Sequence, residues 1–140
     1  MWKKFRLESN MVKAGQIHVC RVKIEGYLDS STFPKLQDHL QAQLEGRQYH
    51  YLLDFKDLDY ISSAGLGVLM GFLKQIRSHN GDLKIVHMSD KIHRVFNLLG
   101  FSRLVNTYQD EQEALDSFSK PATATVDLTH ESPKTGEEEF

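Results

Sequence analysis

Apolar positions along the chain change period several times, and each change marks an element. Residues 16–25, QIHVCRVKIE, put Ile17, Val19, Arg21/Val22 and Ile24 at strand-like positions, and Gly26 ends the run. Residues 3–8 read as an earlier strand, with Gly15 in the turn between them. Phe33, Leu36, Leu40 and Leu44 then recur at helical spacing, with Pro34 in the first turn and Gly46 past the end, which predicts a one-sided amphipathic helix. The short apolar run YHYLLDF, 49–55, suits a strand buried on both faces. From Ala64 to His79 the pattern is helical and almost wholly apolar in its first half, until Asn80-Gly81 turns the chain. LKIVH, 83–87, reads as another strand. Ser89 is placed to cap a helix carrying Ile92, Val95, Phe96 and Leu99, closed by Gly100. A brief strand at Arg103–Val105 and a last helix through Leu115 and Phe118, opened by Asp110 and Glu113 at capping-box spacing, complete the series. The order β-β-α-β-α-β-α-β-α predicts an α/β fold: a mixed, mostly parallel sheet of about five strands, with helices packed beside it and right-handed crossovers.

Composition narrows the function classes more than it names one. The 140 residues carry 17 Lys+Arg and 19 Asp+Glu, a net charge of −2, which gives no global reason to bind nucleic acid or an anionic membrane. The charge is unevenly spread. Residues 120–140 hold two lysines and five acids with Pro121 and Pro133, lack apolar periodicity, and read as a disordered acidic C-terminal tail. Residues 1–119 are left at +1, too little to oppose self-association, so charge leaves the oligomeric state open. No apolar run approaches the roughly 18 residues of a membrane span, and no apolar stretch follows the basic residues of MWKKFRLESN. With Cys20 as the single cysteine, the expectation is a cytoplasmic protein without membrane insertion.

Catalytic chemistry finds no constellation. The seven histidines (18, 39, 50, 79, 87, 93, 130) contain no H-x-x-x-H pair, and Cys20 has no CxxC partner, so no metal is expected. His87 and His93 fall on a strand and a helix with no carboxylate arranged beside either. Cys20 reads as a small buried hydrophobe. The serines of Y-I-S-S-A-G lack the preceding glycine of a nucleophile elbow, and Gly65, Gly67 and Gly71 make neither G-x-G-x-x-G nor a P-loop. The chain is therefore read as a non-enzyme with no cofactor.

The segment LDYISSAGLGVLMG, 58–71, stands apart. Ser62 and Ser63 lie at the junction of a strand region and an apolar helix, where a serine serves as an N-cap. Two glycines in one helical turn cost roughly 1 kcal/mol each against alanine, which signals a close approach of backbone or partner. A hydroxyl at such a helix start also suits phosphorylation, because first-turn amides and the helix dipole favour an anion there. A partner docked flat on that turn would instead meet about 1.5 to 2 new negative charges.

GYLDSSTF (26–33), YLLDFKDLDYISSAGLGVL (51–69) and DLKIVHMSDKIHRVFNLLGF (82–101), in this order and spacing, resemble the STAS family and within it the bacterial anti-sigma factor antagonists. The resemblance spans roughly residues 3–118 and implies a STAS domain over 1–119, outside which the tail falls. It implies partner switching. The unphosphorylated antagonist binds an anti-sigma factor that is also a serine-protein kinase, phosphorylation releases it, and a metal-dependent serine phosphatase restores it. Carried over by position, the acceptor falls on Ser63, with Ser62 the second candidate; the turn aspartate falls on Asp29, beside Ser30, and Gly65 and Leu66 take the helix-start positions that face the partner. Ser62 stands where the D-S-S-G-L pattern has aspartate, and Ala64 where it has a second serine. The alternative is a STAS scaffold subunit of a lipid-transport or signalling complex, holding a partner on the same surface with no phosphate cycle.

Overall fold

The computed structural model describes residues 4–119; the expected acidic tail, 120–140, lies outside the described residues. Strands β1 (Arg6–Ala14) and β2 (Ile17–Leu28) form an antiparallel ribbon around Gly15, whose φ of 64° suits a residue without a side chain. Helix α1 (Phe33–Glu45) follows, then β3 (His50–Asp54), β4 (Leu58–Ile61), α2 (Ser63–Arg77), β5 (Asp82–Val86), α3 (Asp90–Leu98), β6 (Asn106–Tyr108) and α4 (Glu111–Phe118). The sheet order is β1-β2-β3-β5-β6, with β4 paired to β2, and every pairing except β1–β2 is parallel. The expected mixed, mostly parallel sheet is present, with six strands.

Strand alternation sorts the side chains into two layers. Val22, Ile24 and Leu28 of β2, Tyr51 and Leu53 of β3, and Leu83 and Ile85 of β5 point toward α1–α3 and form the large core. All four predicted apolar residues of α1 are buried there, together with Leu66, Leu69, Phe72, Leu73 and Ile76 of α2. The opposite face packs a smaller cluster, Val19, Leu52 and Val86, against Ala114 and Phe118 of α4. Asp110 caps α4 as its spacing implied, accepting the Glu113 N–H at 3.0 Å.

Several boundaries differ from the sequence expectation for physical reasons. Gly26 does not end β2. It adopts φ 95°, and the register to β4 steps by one residue between Gly26 and Tyr27, so the strand continues to Leu28. That continuation gives β4, which the pattern did not announce, a partner. Arg103 belongs to a 3-10 turn, Phe101–Arg103, and the strand beyond it is Asn106–Tyr108, set by its ladder to Lys84–Val86. Leu99, expected on the buried face of α3, sits at its C-cap and is 44% exposed.

Candidate functional site

The parallel strands β2 and β4 end side by side, with Leu28 opposite Ile61. One residue on, the Ser62 N–H donates to the Leu28 carbonyl at 2.9 Å, which brings the start of α2 beside the β2–α1 turn. That turn carries Asp29 and exposed Ser30. Asp29 Oδ1 accepts from the Ser31 hydroxyl at 2.7 Å and the Ser31 N–H at 2.9 Å, and its own N–H donates to Thr32 Oγ1. The Ser31 hydroxyl, seconded by its amide, holds the Asp29 carboxyl below the usual carboxylate range, so the turn keeps a fixed negative charge.

The two serines divide the work of the junction. Ser62 is extended, with φ −85° and ψ 162°, and its hydroxyl accepts the Gly65 N–H at 3.1 Å, making it the N-cap of α2. Ser63 is the first helical residue and is exposed. The helix has no acidic residue in its first turn, and the amides at its first two positions have no intrahelical acceptor. An anion on Ser63 would meet the positive end of the helix dipole and no carboxylate of that turn.

Gly65 and Leu66 are not surface residues, contrary to the expectation that they face a partner. Leu66 is fully buried, and a side-chain carbon added at Gly65 would lie 1.9 Å from Cε2 of Phe33, the first residue of α1. The glycine is there so that α2 can close on that ring. Gly67 and Gly71 have open space beside them instead, and with Ser63 and Ala64 they form the exposed small-residue side of the helix.

His87 corrects a second expectation. It lies just past β5 with φ 63°, and its Nδ1 is 3.1 Å from Oδ1 of Asp54, a carboxylate 33 residues away. The β3–β5 register, which sets Asp54 opposite Val86, makes that contact. Arg21 Nη2 bonds the other oxygen of Asp54 at 2.9 Å and, with Nε, clamps both oxygens of Glu111 at 2.9 Å. Among the described residues no group of three or more His, Cys, Asp or Glu side chains could hold a metal, and burial pushes the Cys20 thiol up, away from the reactive thiolate. No helix of the described residues is long and apolar enough to cross a membrane.

The chain is thus a small α/β domain whose parallel strands β2 and β4 end at a capped helix start beside a turn that carries a fixed carboxylate. Residues 10–114 match the family model of the STAS domain, and the chain belongs to that family. The chain is 28% identical over 95 residues to the anti-sigma F factor antagonist of Paenibacillus polymyxa, covering 67% of this chain and 81% of that protein. It is 31% identical over 85 residues to the anti-sigma-B factor antagonist of Staphylococcus aureus, covering 61% and 79%. Among solved structures it resembles the anti-sigma factor antagonist SpoIIAA in its unphosphorylated form, with a TM-score of 0.67 at 21% identity, over 86% of this chain and all of that one. The phosphorylated form of Bacillus SpoIIAA superposes with a TM-score of 0.61 at 21% identity, over 81% and 97%.

Proposed function

We propose that the protein is an anti-sigma factor antagonist that works by partner switching. With Ser63 unmodified it binds an anti-sigma factor that is also a serine-protein kinase; phosphate on Ser63 releases it, and a metal-dependent serine phosphatase reverses the change. The STAS domain of residues 1–119 acts as a binding module in this reading, without a reaction of its own. The names of its relatives support the antagonist role. The observation that carries the choice of acceptor is the division of labour between the serines: the Ser62 hydroxyl is occupied as a cap on Gly65, while that of Ser63 is exposed at the first helical position.

The docking surface is the corner formed by the Asp29–Ser30 turn, Ser62, Ser63 and the exposed side of α2, with Gly65 and Leu66 shaping it from beneath. Phosphate there leaves the helix intact, because first-turn amides favour an anion. It places about 1.5 to 2 negative charges under a docked partner next to the ionised Asp29, and such like-charge and desolvation penalties lower affinity by roughly 100- to 1000-fold. Incubation with the cognate kinase and ATP tests the reading by mass spectrometry. One phosphate is expected on Ser63 in the wild type and in Ser62→Ala, and none in Ser63→Ala. Modification of Ser62 alone, or kinase binding that Ser63→Asp leaves unchanged, would refute it.

A further inference from the structure

The two faces of the sheet differ in kind. Toward α1–α3 it is apolar, whereas toward α4 it sets Arg21, Asp54 and Lys84 among Val19, Leu52 and Val86. Each of those charges has a partner that does not belong to α4. Asp54 accepts from Arg21 at 2.9 Å and from the Lys56 N–H at 2.9 Å and lies 3.1 Å from His87 Nδ1, while Lys84 Nζ is 3.4 Å from Asp82. Helix α4 itself buries only Ala114 and Phe118, with Leu115 partly covered, and grips the sheet through Glu111 on Arg21. Lifting α1, α2 or α3 would expose a continuous apolar layer. Lifting α4 would expose a face whose charges remain paired.

We propose that α4 is a strap that opens on the otherwise folded domain, with the Glu111–Arg21 pair as its latch. Asp54 carries the state of that latch to the β3–β4 turn. Arg21 stands between two carboxylates, 3% and 32% exposed at their side chains, so with Glu111 gone it keeps Asp54 as its partner and the guanidinium is free to re-aim on that one carboxylate. The other oxygen of Asp54 pins the Lys56 amide, and the turn beginning there runs through β4 directly into Ser62 and Ser63. An open strap therefore changes how the α2 start is presented. Only that last consequence rests on reading Ser63 as the acceptor; the strap and its latch stand apart from it.

Native-state amide exchange on the full chain tests the strap without any partner. The amides of Ala114–Phe118 are expected to be about 100-fold or more less protected than those at the centre of β3 and β5, the mark of opening below global unfolding. Glu111→Gln should speed their exchange a further ~10-fold or more and speed that of Lys56 with them, leaving β3 and β5 unchanged. Glu113→Gln, which removes a charge from the same helical turn but does not bond Arg21, is the control and should move these rates by less than about 3-fold. Exchange of α4 in step with β3 and β5 would overturn the strap. A Glu113→Gln effect as large as that of Glu111→Gln would overturn the latch, and an unmoved Lys56 would overturn the role of Asp54.

Discussion

Replacing Gly65 with alanine should destabilise the domain, although alanine is the better helix former. A methyl at 65 would sit 1.9 Å from Cε2 and 2.2 Å from Cζ of Phe33, where carbon atoms ordinarily approach no closer than about 3.5 Å, so the ring or the helix start must give by about 1.5 Å. Phe33 is 5% exposed and belongs to the main core, which leaves its ring little room to retreat. A clash this deep falls in the upper half of the roughly 1–3 kcal/mol that overpacking costs, about 2–3 kcal/mol, against a propensity gain of about 1 kcal/mol, for a net loss of about 1–2 kcal/mol. Gly71→Ala is the matched control in the same helix: nothing lies within 4 Å of its added carbon, so only the propensity gain of roughly 1 kcal/mol remains. Urea unfolding at constant m-value, with thermal melts moving by about 4 °C per kcal/mol, separates the two variants in sign. Phe33→Leu should shrink the penalty of Gly65→Ala in a double-mutant cycle, since the ring is its cause. Equal or greater stability of Gly65→Ala in the wild-type background would refute the reasoning.

Two further outcomes follow from the same corner. Ser62→Ala removes the hydroxyl that accepts the Gly65 N–H and should cost about 1 kcal/mol, while Ser63→Ala, at an exposed first position, should change stability by less than about 0.5 kcal/mol; chemical unfolding of both measures the difference. Asp29 should titrate below its ordinary 3.8 when followed by carboxyl NMR, and Ser31→Ala should move it back up. Because its folded value is depressed, the unfolded chain binds more protons between the two, so the Asp29 contribution is present above 3.8 and fades as pH falls through the folded value.

Much of the fold was legible because apolar spacing and breakers agreed. The four buried leucine and phenylalanine positions of α1, the cap at Ser89 and the capping spacing at Asp110 each follow from local chemistry. Strand β4 was hidden because its buried residues, Leu58 and Ile61, stand three apart. The register step opposite Gly26 breaks the alternation by which strands are recognised. β6 is Asn-Thr-Tyr, which carries no apolar run and exists through its ladder to β5. At the site, the helix junction and its serines could be read from the chain. Which serine caps and which is free depended on where the helix begins, one residue before the expected Ala64. The Arg21–Asp54–His87 contacts join residues whose adjacency only strand pairing creates, and no local spacing announces them.

The Phe33 ring fills the space that a side chain at 65 would occupy, and the Ser62 amide is tied to Leu28, so the β2–α1 turn and the first turn of α2 are joined twice. Two segments more than thirty residues apart in sequence thus form one corner, held by a packed ring and a hydrogen bond. On the proposed reading, a partner would meet the Asp29 turn and the start of α2 already joined. Association on that reading would spend little on freezing loops, and the affinity would be set by surface chemistry more than by the entropy of assembling the corner.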